Sequence, residues 1–205
     1  MHFLLLGASG RTGQHVVSEL LSPGHTAVAL VRTSSSLAPR PGLTVVTGSP
    51  LSKSDIRNAF LATSPLSPSA TIITLNTVRK LDSPFAAQIS PPRFLADSVG
   101  NSWDNLPWLS KVFLGWTNVK YALEDHDLVD KEIRLTNMDW TLVRAVRLRF
   151  DDQKLADAKT EVKLLGSKGE GMSFFDSVSV ASMASFLVNV AVKGLFIRNA
   201  VVMAG

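Results

Sequence analysis

The stretch LLLGASGRTG, residues 4–13, places an apolar run directly before three glycines, at positions 7, 10 and 13. The apolar residues from Phe3 to Leu6 predict a short strand that is buried on both faces. Residues Arg11 to Leu21 predict a helix, because apolar side chains recur there at helical spacing. The chain therefore opens with a strand, a glycine turn and a helix.

A turn of this kind exposes backbone N–H groups to an anion. The first amides of a helix lack partners within the helix, and the helix dipole favours negative charge beside them. Gly7 would allow the tight turn, Gly10 the close approach of a pyrophosphate, and Gly13 the contact of helix with strand. The spacing G-x-x-G-x-x-G is one residue longer at the first gap than the common dinucleotide fingerprint. A turn with only a structural role is the alternative.

The rest of the chain continues to alternate strands and helices. Strands are predicted at Thr26 to Val31, Leu43 to Thr47 and Thr71 to Leu75, and a helix between the last two is capped by Ser54. That helix would direct Ile56, Ala59 and Phe60 inward. Further on, helices are predicted at Phe94 to Val99, 119 to 136 and Val180 to Val192, strands at Trp140 to Val146 and Ala200 to Met203, and a hairpin-like stretch at Val162 to Leu165. The alternation indicates a mostly parallel α/β sheet.

Length and composition favour one packed domain over residues 1–205, with 45% hydrophobic and 19% charged residues. The formal net charge of +4 comes from scattered basic residues, so a nucleic-acid partner is not expected. Cysteine is absent, which excludes disulfides and suits the cytoplasm. No apolar run is long enough to cross a membrane, and no histidine has partners at metal-ligand spacing.

The residue at the end of the second predicted strand bears on the choice of cofactor. An enzyme that binds NAD would carry an acid here for the ribose hydroxyl, but the chain has Arg32. A cation at this point suits the 2′-phosphate of NADP, and a charge-assisted hydrogen bond of roughly 1.5–3 kcal/mol would favour NADP by about ten- to a hundredfold. A solvated arginine at a strand end is the alternative.

These motifs together resemble a known family. GASGRTG with Val31-Arg32, TGSP at 47–50, TLNT at 74–77 and DWTLVRAVRL at 139–148 look like the atypical short-chain dehydrogenase/reductase group. Within that group the chain resembles the NAD(P)H-binding family that includes biliverdin and flavin reductases and NmrA-like regulators. The resemblance implies a three-layer Rossmann-like fold with NADP bound at the carboxyl ends of the first strands. It also implies cofactor contacts in addition to the glycines, from Ser9, Arg11, Thr12, Arg32, Thr33, Ser49, Pro50, Leu75, Asn76 and Thr77.

The chain departs from the family pattern between the fourth strand and Trp140. Members of the family place a long helix, a fifth strand and a serine-bearing loop in this interval, and about twenty residues of that layout are missing here. Either Lys111 to Leu114 serves as a substitute strand or the sheet lacks one usual central strand. A gap would leave backbone groups unpaired, and either a partner in a homodimer or a rearranged sheet edge could cover them.

The predicted catalytic residues are His126 and Tyr121. Short-chain enzymes pair a tyrosine with a lysine four residues later, but Asp125 stands there and its charge disfavours the phenolate. His126 lies where reductase-like relatives carry a histidine near the substrate, and an imidazole can donate a proton or anchor an acidic ligand. Packing of Tyr121 and solvation of His126 are the alternatives.

Three tryptophans, Trp103, Trp108 and Trp116, could form the wall of a flat apolar pocket or a dimer surface. The resulting hypothesis is an NADPH-dependent reductase that transfers hydride directly to a small flat or carbonyl-bearing molecule. Two alternatives stay open: a non-catalytic dinucleotide-binding regulator or pseudoenzyme, and a redox-neutral isomerase or dehydratase on the same scaffold.

Overall fold

The computed structural model describes residues 1–65, 67–75, 131, 133–135, 137–149, 159–165, 170–173 and 175–205. The predictions for Phe94 to Val99, for Lys111 to Leu114 and for most of 119 to 136 lie outside these residues. The hypothesis of a missing central strand concerns the same interval.

The first part of the chain forms a four-stranded sheet in the order β3-β2-β1-β4. Its strands are β1 His2–Leu6, β2 Thr26–Val31, β3 Leu43–Thr47 and β4 Ala70–Ile73, with helices α1 Arg11–Leu21 and α2 Lys53–Leu61 between them. All three strand pairings are parallel. The prediction of a parallel sheet is confirmed, as are the bounds of α1, β2 and β3. β4 begins one residue earlier and ends two residues earlier than the strand predicted at Thr71 to Leu75.

The described residues of the last part of the chain add five strands and one helix of 14 residues. Its elements are β5 Thr141–Ala145, β6 Leu148–Arg149, β7 Lys163–Leu165, β8 Val178–Ser179, α3 Val180–Lys193 and β9 Asn199–Ala204. β9 pairs parallel with β5 and antiparallel with β7, and β6 pairs parallel with β8. Three predicted elements are confirmed, each to within one residue at either end: the strand at Trp140 to Val146, the helix at Val180 to Val192 and the strand at Ala200 to Met203. Strands of two residues, such as β6, are too short to show a periodic pattern.

The four-stranded sheet is covered on both faces, which gives three layers. Alternate side chains of β1 point to opposite faces: Phe3 and Leu5 pack with α1 and α3, whereas Leu4 and Leu6 pack with α2. α1 also packs directly against α3. Phe3, with 0% of its surface exposed, contributes roughly 2–3 kcal/mol through burial. The α/β class with a mostly parallel central sheet is therefore confirmed.

Helix α2 corrects two predictions. Its N-cap is Ser52, whose hydroxyl accepts a hydrogen bond from the Asp55 amide, and not Ser54. Ala59 is buried and Ile56 half-buried as predicted, but Phe60 is 46% exposed. The helix starts one residue before Ser54, so Ser54 lies inside the first turn and its amide precedes the first helical hydrogen bond. Phe60 follows the buried Ala59 and turns away from the sheet.

None of the helices that the structure describes combines the length and apolarity needed to span a membrane.

Candidate functional site

The carboxyl ends of the four parallel strands meet along one edge of the sheet. Leu6 lies opposite both Leu30 and Ile73, so the residues that follow β1, β2 and β4 are level with one another. Val31 likewise lies opposite Thr47, which brings in the end of β3. A ligand that crosses this edge would therefore meet the glycine turn, Arg32, the turn after β3 and the residues after β4.

Gly7 makes the tight turn at the end of β1. Its φ of +86° lies in the region that favours glycine, and a Cβ there would come within 2.8 Å of the Thr74 carbonyl carbon and oxygen. The Thr74 hydroxyl donates to the carbonyl oxygens of Gly7, at 3.2 Å, and Leu6, at 3.4 Å. Thr74 thus ties the turn to the end of β4.

Gly13 lets the helix approach that turn. A Cβ at Gly13 would lie 2.1 Å from the Gly7 carbonyl oxygen and 2.7 Å from the Ala8 Cα. Both neighbours are backbone atoms, so no rotamer change could relieve the overlap. Only glycine is compatible with this packing of α1.

Gly10 differs from the other two glycines because it has an open side. It is the N-cap of α1, with φ −72° and ψ 164°, and no side chain caps the helix. Among the described residues, a Cβ at Gly10 would meet one atom within 4 Å, the Gly7 carbonyl oxygen at 3.2 Å. The first turn of α1 contains no acidic residue. The start of the helix therefore presents backbone and the positive end of the dipole on an accessible surface, which an anion can approach.

Three polar side chains surround this helix start. Ser9 and Thr12 are partly exposed and Arg11 is exposed, so all three reach the surface beside Gly10. Gln14 donates from its side-chain amide to the Ser9 carbonyl at 3.2 Å, which holds the turn in place.

Arg32 and Thr33 follow β2 directly, and both are exposed. The Arg32 guanidinium makes no hydrogen bond or ion pair with any residue that the structure describes. The Thr33 carbonyl accepts from the Ser36 hydroxyl at 2.6 Å and from the Ser36 amide at 3.1 Å, which closes a short 3₁₀ turn. A fixed loop therefore carries a cation that has no described partner.

Ser49 and Pro50 lie in the turn after β3, and Leu75 follows β4; all three are half-buried. The Gly48 amide donates to the Val31 carbonyl at 2.9 Å, so this turn is joined to the strand that precedes Arg32. The described cofactor candidates thus line the same sheet edge.

Four of the predicted site residues lie outside the described residues: Asn76, Thr77, Tyr121 and His126. The three clustered tryptophans lie outside them too. Sequence reasoning missed Thr74 and Asp55, which bind the backbone of the site. A hydroxyl just after a strand was a weak signal for Thr74, and the Ser-x-x-Asp spacing from Ser52 was the available signal for Asp55.

A surface depression of about 350 Å³ lies at the opposite edge, near the amino ends of the strands. His2, Thr26 and Thr44 line it, far along the strands from the glycine turn. Within the described part of the chain, no three His, Cys, Asp or Glu residues are placed to hold a metal ion.

The comparisons with known proteins agree with this geometry. Residues 7–83 match the model of the NAD(P)H-binding family, a segment that runs from the first glycine past the end of β4. The fold is Rossmann-like. No curated protein matches the sequence significantly.

Several solved structures have a similar fold. ChuY, an anaerobillin reductase from Escherichia coli O157:H7, is 15% identical, with a TM-score of 0.69 over 99% of this chain and 96% of its own. A candidate NAD-dependent epimerase/dehydratase from Bacillus halodurans is 16% identical, with a TM-score of 0.66 over 100% and 94%. A candidate NADH-flavin reductase from Streptococcus pneumoniae is 17% identical, with a TM-score of 0.58 over 100% and 99%. These similarities establish the Rossmann-like fold that the motifs predicted.

Proposed function

We propose that the chain binds NADP(H) across the carboxyl edge of its parallel sheet, with the pyrophosphate beside Gly10. The observation that carries the proposal is the contrast among the three glycines. Cβ atoms at Gly7 and Gly13 would overlap the protein's own backbone, whereas a Cβ at Gly10 would enter accessible space at a helix start. Backbone amides there can donate to phosphate oxygens, with Ser9, Arg11 and Thr12 beside them.

We further propose that Arg32 and Thr33 bind the 2′-phosphate of NADP. Arg32 is exposed at the edge where the adenosine ribose of a Rossmann ligand lies, and it has no described partner that would have to be displaced. A guanidinium can form two hydrogen bonds to a phosphate. Ser49 and Pro50 would contact the adenine, and Leu75, Asn76 and Thr77 the ribose near the nicotinamide.

The proposed activity is reduction of a small flat or carbonyl-bearing molecule by direct hydride transfer. A bound reduced nicotinamide supplies the hydride. The chain's own contribution is mainly orientation of the two reactants, and His126 or Tyr121 would donate the proton. The reductases among the structures of the same fold, one for anaerobillin and one a candidate for flavin, support this choice.

A redox-neutral isomerase or dehydratase is the second candidate. The observation in its favour is the comparable TM-score of 0.66 to the candidate epimerase/dehydratase. Such an enzyme would convert its substrate without net consumption of cofactor. A non-catalytic regulator would bind the cofactor and convert nothing, and the apparent deletion before Trp140 favours it.

Calorimetric titration of the wild type with NADPH and NADH tests the binding proposal first. Arg32→Ala should weaken NADPH about tenfold or more and leave NADH nearly unchanged, because only NADPH carries the additional phosphate. Arg40→Ala is the matched control: it removes the same charge from an exposed arginine that hydrogen-bonds Ser18 instead. Equal losses for the two cofactors would show that Arg32 does not contact the 2′-phosphate.

Turnover assays then separate the activities. Oxidation of NADPH in the presence of quinones, flavins or aldehydes would support the reductase and reject the regulator. Tight binding without turnover of these acceptors would reject the reductase.

A further inference from the structure

The turn between β3 and α2 is held by its own hydrogen bonds. The Ser52 amide donates to the Ser49 carbonyl at 3.0 Å, and the Leu51 amide donates to the Ser49 hydroxyl at 3.2 Å. The Gly48 amide reaches across to the Val31 carbonyl at 2.9 Å. The turn is therefore a compact unit that is fixed to the end of β2.

Asp55 supplies the contact that orients the start of this unit. Its Oδ2 accepts a hydrogen bond from the Ser49 amide at 2.8 Å, while its own amide donates to the Ser52 hydroxyl at 3.2 Å. In the usual capping box the acidic residue reaches back to the amide of the N-cap residue. Here the carboxylate reaches three residues further, to Ser49. The helix cap and the turn are thereby linked through one side chain.

The absence of a side chain at Gly48 leaves the space that the Asp55 side chain occupies. A Cβ at Gly48 would lie 2.7 Å from the Asp55 Cβ and 2.9 Å from its Cγ. Asp55 therefore fills the space that a side chain at position 48 would need. The two residues form a matched pair, since a larger residue at one position would displace the other.

We propose that Asp55 is a positioning residue for the adenosine end of the cofactor, an inference that rests on the proposed function. It acts through Ser49, which it holds in the orientation that presents the Ser49-Pro50 segment toward the adenine. Because the Gly48 amide is hydrogen-bonded to the Val31 carbonyl, the same set of hydrogen bonds also fixes the distance between the Ser49-Pro50 segment and Arg32. Asp55 contacts neither the reacting atoms nor the phosphates in this arrangement.

The test measures binding of adenosine 2′,5′-bisphosphate, which carries the adenosine end of NADP alone. Asp55→Ala should weaken this ligand by about tenfold, because a charge-assisted hydrogen bond that fixes Ser49 is lost. Asp55→Asn should bind within about threefold of wild type, since the amide oxygen can still accept from the Ser49 amide. Gly48→Ala should reproduce the loss by displacing the carboxylate without removing it. Asn58→Ala, an exposed neutral change on the same helix, is the control.

The outcomes separate the two proposals. A wild type that binds neither NADPH nor the bisphosphate would overturn the proposed function. If the wild type binds both ligands and Asp55→Ala binds the bisphosphate as tightly as the wild type does, the positioning role alone is overturned. The same conclusion follows if Asp55→Asn binds the bisphosphate as weakly as Asp55→Ala does. Thermal unfolding of each variant is measured in parallel, and a merely structural role would lower the melting temperature without changing the affinity. If Asp55→Ala does not fold, Asp55→Asn and Gly48→Ala carry the same comparison.

Discussion

Substitutions at Gly13 and Gly10 should separate folding from binding, although both glycines belong to one motif. Gly13→Ala adds a single methyl group where backbone already stands, and Gly10→Val adds a branched side chain where the surface is open. The structure predicts that the first variant loses stability and the second loses the cofactor. The two effects can be measured independently on the purified protein.

The cost at Gly13 follows from the distances. A Cβ 2.1 Å from the Gly7 carbonyl oxygen overlaps it by more than 1 Å, so the start of α1 must move away from the turn. Overpacking of this kind costs roughly 1–3 kcal/mol, and a contact with backbone belongs at the upper end. A loss of about 3 kcal/mol in a chain of this length lowers the melting temperature by about 6–12 °C.

Gly10→Val should leave the fold almost intact. The Gly10 backbone, with φ −72° and ψ 164°, is in the extended region that valine adopts readily. Loss of a glycine N-cap costs about 1 kcal/mol or less, which lowers the melting temperature by no more than about 4 °C. The branched side chain would occupy the space that the pyrophosphate needs, so the affinity for NADPH should fall on the order of a hundredfold, about 2.7 kcal/mol.

Differential scanning fluorimetry and calorimetric titration, run on the same samples, check both parts. Gly10→Ala should give an intermediate affinity, because it projects less far than valine. If Gly13→Ala has the same melting temperature as the wild type, the steric argument is refuted. Full NADPH affinity in Gly10→Val would refute the placement of the pyrophosphate.

Two further substitutions test contacts that the structure adds to the motif. Ser52→Ala should lower the free energy of unfolding by about 1 kcal/mol through loss of the α2 cap, whereas Ser54→Ala should change it by less than about 0.5 kcal/mol; urea unfolding of both decides between the caps. Thr74→Val should cost about 1 kcal/mol, because it removes the hydroxyl that donates to the Gly7 and Leu6 carbonyls; unchanged urea unfolding would mean that β4 and the turn are not coupled through it.

The first half of the sheet was predictable because its signals are local. The bounds of α1 follow from the glycine turn before it and Pro23-Gly24 after it, and β2 and β3 are short apolar runs between polar turns. Each of these elements is specified by residues within its own segment. Parallel pairing then follows from the crossovers between them.

The predictions that failed depended on small offsets or on distant partners. Ser52 and Ser54 are both plausible caps from sequence, and the choice between them depends on where the chain leaves the turn after Thr47. Phe60 was assigned to the inner face because it is apolar, but Ala59 and Ile56 pack against the sheet and Phe60 is 46% exposed. The bond from Asp55 to Ser49 reaches outside the capping box, so no spacing rule predicts it.

The unusual spacing of the glycines has a common origin in the Gly7 carbonyl oxygen. This oxygen accepts from the Gly10 amide at 3.0 Å and from the Thr74 hydroxyl at 3.2 Å, and it is also the atom that excludes a side chain at Gly13. A bond from residue i+3 back to residue i requires the first two glycines to be three positions apart, with two residues between them, which explains the longer first gap. The next turn of the helix then brings Gly13 over the same oxygen. The three glycines therefore surround one carbonyl oxygen. Side chains at Gly7 and Gly13 are excluded by backbone atoms, whereas the space at Gly10 is open, and we place the phosphates there.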